Sequence, residues 1–267
     1  MGKRIDWMGV VVPRALEIIG HYDTLVTLRQ LFYRLVSEFL IPNTRSAYAT
    51  LSSRTAALRR AGEFPSLLDK TRGIVERTSF PTLDAAYEYI HGRWGKSIGR
   101  DRTAGQEFSI YLGVEKEGIV EQLRYWFGDL GMPILPLRGY TSESFEREVL
   151  QHIDSHDYPS VLLYAGDFDP SGEDILRNFT KHVHFDEVIR VALTEEQVRE
   201  HALPMMMGKA TDTRAAGFVA RHGELVQVEL DALPPDVLRG LYQDELDRYW
   251  DPDAYEAVLE QEQEEKG

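Results

Sequence analysis

From Phe108 onward the chain alternates short apolar runs with amphipathic stretches, and few folds accommodate that rhythm. "FSIYLGV", "MPILPL", "SVLLYAG" and "EVIRVAL" read as strands. "EKEGIVEQLRYWFGDLG", "SESFEREVLQHIDSH" and "SGEDILRNFTKHV" read as the helices between them. Strands separated by helix-length connections cannot pair as hairpins, so the pattern predicts an α/β fold (α+β over the whole chain) with a mainly parallel sheet flanked by helices. Ligands of such sheets bind beyond the carboxyl ends of the strands.

Acidic residues stand at two of those ends. Glu115 follows "IYLGV", and Asp167 and Asp169 follow "VLLYAG" within "GDFDPSG". Three carboxylates converging there repel one another unless a cation offsets their charge. Hard oxygen donors with room for water and phosphate favour Mg²⁺. Helix-capping aspartates in an ordinary β–α turn would explain one aspartate of the pair, but not Glu115 at the matching strand end.

The front of the chain has a different texture. In "TLRQLFYRLV", Leu28, Leu31, Phe32 and Leu35 fall on one helical face. Thr27 and Gln30 make a capping box in front of it. Tyr33 projects from the opposite, polar side, with Arg29 one turn earlier on the same side. After "FLIPN", Asn43 is placed to cap a second helix that stops near Gly62, with Tyr48, Leu51 and Leu58 as its apolar stripe. Arg34 on the first helix and Arg45, Arg54, Arg59 and Arg60 on the second are candidate phosphate contacts. Two helices joined by a short turn, followed by a wing-like "EFPSLLDKTRGIVERTSF", suggest a winged-helix DNA-binding unit over 1–95. A plain helical hairpin with a solvated basic face is the alternative.

Charge separates the two halves. Residues 1–80 hold 12 Lys+Arg against 7 Asp+Glu, a surplus of 5; the remaining 18 against 37 leave a deficit of 19, within the overall −14. A basic front and an acidic back imply two tasks, the second assigned to 96–267. The closing "EAVLEQEQEEKG" reads as a solvated helix end or frayed tail. Without cysteine, thiolate zinc sites, disulfides and cysteine nucleophiles are excluded. No apolar run approaches the roughly 20 residues of a membrane span. The expected setting is cytoplasmic and nucleoid-associated.

Together these residues resemble a known family. Glu115 in "VEKEGI" and the D-x-D of "GDFDPSG" look like the acidic motifs of a Toprim domain. "RQLFYRL" resembles the tyrosine motif of the type IIB topoisomerase A subunit and its relative, the meiotic double-strand-break protein, while "GKATDTRAAGF" and "VELDALPP" resemble short bacterial or mobile-element branches of that family. The resemblance implies that Tyr33 is a DNA-cleaving nucleophile supported by Arg29, and that Glu115, Asp167 and Asp169 hold Mg²⁺. It further implies double-stranded DNA as substrate, a homodimer in which the tyrosine of one chain serves the metal site of the other, and a separate ATPase B-type subunit. A winged-helix–Toprim metal-dependent nuclease, with water as nucleophile, and a non-catalytic DNA-binding subunit are the alternative functions. No P-loop string occurs, so ATP turnover would need a partner.

Overall fold

The computed structural model describes residues 5–68, 99–208 and 211–266, together with positions 82, 84 and 87–89. Three helices come first: α1 (Val12–His21), α2 (Leu28–Ser37) and α3 (Arg45–Arg60). The sheet follows as β1 (Ser109–Val114), α4 (Glu117–Phe127), β2 (Ile134–Pro136), α5 (Glu143–Asp154), β3 (Ser160–Ala165), α6 (Pro170–His182) and β4 (Glu187–Ala192). The chain continues through α7 (Glu195–Glu200), β5 (Met206–Met207), α8 (Ala215–His222), β6 (Val226–Gln227), α9 (Pro235–Leu246) and α10 (Pro252–Lys266).

The four strands anticipated from the sequence form one parallel sheet in the order β2-β1-β3-β4. β1 and β3 alternate between two cores, as a period of two requires. Ile110, Leu112, Val114, Val161, Leu163 and Ala165 join the larger core, shared with α1, α2 and α9. Tyr111, Leu162 and Tyr164 join the smaller one, with Val149 of α5 and Ile175 and Phe179 of α6. Cover on both faces explains why β3 is apolar along nearly its whole length.

The front helices and the sheet share that larger core. Polar contacts fasten the same seam: the buried Gln30 side chain donates to Gln122 of α4 at 2.9 Å, and Arg239 of α9 pairs with Asp23 at 2.9 Å. The winged-helix expectation is open at its second half, because most of the expected wing lies outside the described residues. Its first residues meet the connection between α1 and α2, where Leu68 N donates to Val26 O at 2.9 Å.

Two local expectations change. The second helix is capped by Thr44 rather than Asn43: Thr44 is extended and its Oγ1 accepts from Ala47 N at 3.3 Å, one residue later than the spacing suggested. The acidic tail is not frayed where Glu262 sits. That buried carboxylate accepts from Arg100 N at 2.8 Å and pairs with Arg102 at 2.6 Å, tying α10 to the loop before β1. Among the described residues no helix is long and apolar enough to cross a membrane.

Candidate functional site

The strand order reverses between β1 and β3, which makes their carboxyl ends the topological switch point where open α/β sheets bind ligands. Glu115 leaves β1 there, its N–H still donating to Ala165 O at 3.0 Å. Asp167 leaves β3, and its N–H donates to Glu115 Oε2 at 2.9 Å. The two motifs therefore meet. Asp169 caps α6, with Oδ1 accepting from Gly172 N at 2.7 Å. Gly172 permits that tight turn, since a Cβ there would stand 2.4 Å from Asp167 O and 3.1 Å from Glu115 Oε2.

A segment that sequence reasoning left without a role completes the site. Phe168 and Val228 exchange two backbone hydrogen bonds, at 2.9 and 3.0 Å, in an antiparallel bridge. That register sets Asp167 beside Glu229 and Asp169 beside Gln227, whose Nε2 donates to Asp169 Oδ2 at 3.2 Å. Asp167 Oδ1 also accepts from Leu230 N at 2.8 Å. The alternation in "VQVELD" was the available signal: Val226, Val228 and Leu230 are buried, while the polar residues between them turn to the strand ends.

Lys116, the residue after Glu115, reaches into this group. Its ammonium donates to Asp167 Oδ2 at 2.6 Å and to Glu229 Oε2 at 3.5 Å. Glu229 pairs on its other side with Arg29 and lines the same cavity as Tyr33, where its charge acts on the phenol. Asp231 is buried beside them and accepts from Thr27 Oγ1 at 3.3 Å. Within one chain, Arg29 and Tyr33 of α2 thus join the strand-end carboxylates through Glu229 and Lys116.

This placement corrects the expectation for Tyr33. The tyrosine does not face solvent on a polar helix side; it is 5% exposed. The segment around Glu229 packs over that side of α2, so the helix is buried on both flanks. The capping box is as expected, with Gln30 N donating to Thr27 Oγ1 at 3.1 Å and Thr27 N to Gln30 Oε1 at 2.8 Å.

Burial and crowding set the protonation states. Burial, followed by the charge of Asp167, pushes the Glu115 carboxyl up to about 7. Burial also raises Asp167, against the pull of Lys116. Asp231 is lifted to about 6 by burial. Glu229 goes the other way despite burial, because Lys116 and Arg29 hold it ionised. The Tyr33 phenol is raised, first by burial and then by the Glu229 charge. Carboxylates outnumber the two cations here, which is the electrostatic signature of a site that gains from a further positive charge.

The donor set suits a hard divalent cation in kind: carboxylates at adjacent strand ends, with Glu115 and Asp167 both disfavoured as anions by their surroundings. Asp167 has Lys116 as its present counter-charge and Asp169 is turned toward Gly172 and Gln227. Accordingly, among the described residues no three acidic or histidine groups gather into a ready-made metal cage.

The candidate DNA-binding arginines do not share one environment. Arg45 and Arg60 are exposed. Arg54 lies inward, its guanidinium 5.7 Å from the Trp7 ring centroid, and Arg59 Nε donates to Thr55 O at 3.3 Å. Arg34 lines a separate cavity of about 310 Å³ with Arg14 and Glu38. Arg45 instead lines a cavity of about 450 Å³ that also reaches Arg29, Tyr33 and Glu229.

No protein-family model and no curated protein matches this chain.

Proposed function

We propose that this protein cleaves DNA strands by Mg²⁺-dependent transesterification, with Tyr33 as nucleophile. The observation that carries the reading is the Glu229 carboxylate, which pairs with Arg29 and Lys116 and lines the same cavity as Tyr33, and so links the tyrosine to the strand-end acids. In the proposed step Glu229 takes the phenolic proton and Tyr33 Oη forms a bond to phosphorus. The bond to the 3′ oxygen breaks, and that oxygen leaves as a hydroxyl after gaining a proton. The product is a 5′ phosphotyrosyl link and a free 3′ hydroxyl, with the phosphoester bond energy retained for rejoining. Arg29 is the cation nearest the tyrosine and would grip the phosphate through charge-assisted hydrogen bonds. Glu115, Asp167 and Asp169 would hold Mg²⁺, which offsets charge on the phosphate when bound. The front helices are proposed as the DNA-facing, winged-helix-like unit and the sheet as the Toprim-like one. One tyrosine cuts one strand, so a double-strand break calls for a two-fold pair of chains.

The second reading, a hydrolytic nuclease, draws on one observation: burial and the Glu229 charge both hold the Tyr33 phenol protonated, which makes it a poor nucleophile unless the site rearranges. Incubation with supercoiled DNA and Mg²⁺, quenched with detergent, separates the readings. Transesterification leaves protein on the 5′ ends, and Glu115→Gln abolishes cutting. Nicked DNA with free ends from the wild-type protein would favour hydrolysis.

A further inference from the structure

The cavity of about 450 Å³ beside Tyr33 has more chemistry than a nucleophile needs. One wall is aromatic: the Phe32 ring sits edge-on to Tyr33 at 5.4 Å and to Tyr48 at 5.3 Å. Met206 adds a polarisable thioether from β5. Its polar rim is provided by the Asn43 amide and the Arg45 guanidinium. Because Thr44 caps α3, the Asn43 amide is released from that duty, and among the described residues neither Asn43 nor Arg45 has a side-chain partner. Gln227 and Glu229 close the inner end, and Gln227 bonds Asp169 at 3.2 Å. The cavity therefore borders the acidic cluster, with Gln227 between it and Asp169.

We propose that this cavity receives one unstacked nucleotide of the substrate strand, with the base against the Tyr48 ring that the buried Phe32 backs edge-on, its polar edge at Asn43 and its phosphate at Arg45. The inference rests on nucleic acid being the substrate, as proposed above. The volume falls within the range of small-molecule pockets, roughly 300–1,000 Å³. Aromatic faces take any base by stacking, and a side-chain amide offers the paired donor and acceptor that a base edge requires. The free guanidinium provides the anion contact. A purely apolar guest would leave Asn43 and Arg45 unused, and an anion alone would leave the rings unused. Holding one nucleotide out of the stack would fix the adjoining phosphate between Tyr33 and Asp169.

The test separates binding from chemistry by working in EDTA, without Mg²⁺. Deoxynucleoside 5′-monophosphates and a short single strand carrying 2-aminopurine are titrated into the full chain. Monophosphate binding is expected below about 1 mM, with 2-aminopurine quenching on the strand. Tyr48→Ala and the less intrusive Asn43→Ala should each weaken both by about tenfold. Glu115→Gln should bind as the wild type does, although it does not cut. Absence of monophosphate binding, or binding by both pocket variants as tight as the wild type's, would overturn the proposal; so would binding of the free nucleotide with none of the strand. If the nucleotide binds as expected while the wild type forms no covalent adduct, the pocket stands and the transesterification reading fails.

Discussion

Helices α2 and α3 are made of similar materials, an apolar stripe with arginines and hydroxyls around it, yet they meet different surroundings. On α2 the polar side is claimed by the protein itself: Glu229 pairs with Arg29, Gln122 accepts from Gln30, and Tyr33 is buried. On α3 the buried stripe is narrow, Ala47, Leu51 and Thr55, and Arg45 and Arg60 remain exposed. The difference lies in what arrives later in the chain. A helix whose polar side is covered by a segment 200 residues away becomes a two-sided core element, whatever its own periodicity says.

That contrast can be broken by mutation, and the largest stability effects belong to the residues that cover α2. Asp231→Asn is expected to stabilise the protein at pH 7–8 by up to about 3 kcal/mol. The Asp231 carboxyl titrates near 6 in the fold against an ordinary 3.8, because it is buried. Its raised value favours the fold fully below about pH 4, and that contribution is lost as pH rises through about 6. The advantage of Asn over Asp should therefore vanish in denaturant melts below pH 4; a gain that persists there would mean the carboxyl is not raised.

Glu229→Leu comes next. It leaves Lys116 with Asp167 alone and Arg29 with no carboxylate in contact, a loss of about 2 kcal/mol after allowing for partial solvent screening. Gln122→Leu should cost about 1–2 kcal/mol, since the Gln30 amide then loses its buried acceptor. On α3, Arg60→Ala should change stability by no more than about 0.5 kcal/mol. A melt in which Arg60→Ala equals Glu229→Leu would erase the comparison. In DNA binding the order reverses: Arg45→Ala should weaken affinity for all sequences alike and make the salt slope shallower by about one unit, while Gln122→Leu leaves that slope unchanged.

The same contrast marks what the sequence could tell. Local signals were legible: the alternation that builds the sheet, the Thr27–Gln30 capping box, and the strand-end positions of Glu115 and Asp167, which do meet. Each rests on neighbours a few residues apart, or on a connection rule that α/β sheets obey. Tyr33 was misjudged because its cover comes from Glu229, and no period within α2 encodes that partner. Lys116 stood in plain view inside "VEKEGI", but a lysine next to a strand end has no signature until Asp167 and Glu229 are placed around it. Glu262 was lost in a run of acids that reads as solvated tail, and only Arg100 and Arg102 distinguish it.

The central claim is that the side chain α2 buries is the one that reacts. The most direct measurement is mass spectrometry of protein digested after Mg²⁺-dependent cutting of DNA, quenched with detergent and treated with nuclease. The account predicts a nucleotide adduct on the peptide containing Tyr33, which disappears in Tyr33→Phe together with the cutting. Full cutting by Tyr33→Phe with free 5′ ends, and an unmodified Tyr33 peptide in the wild type, would contradict it.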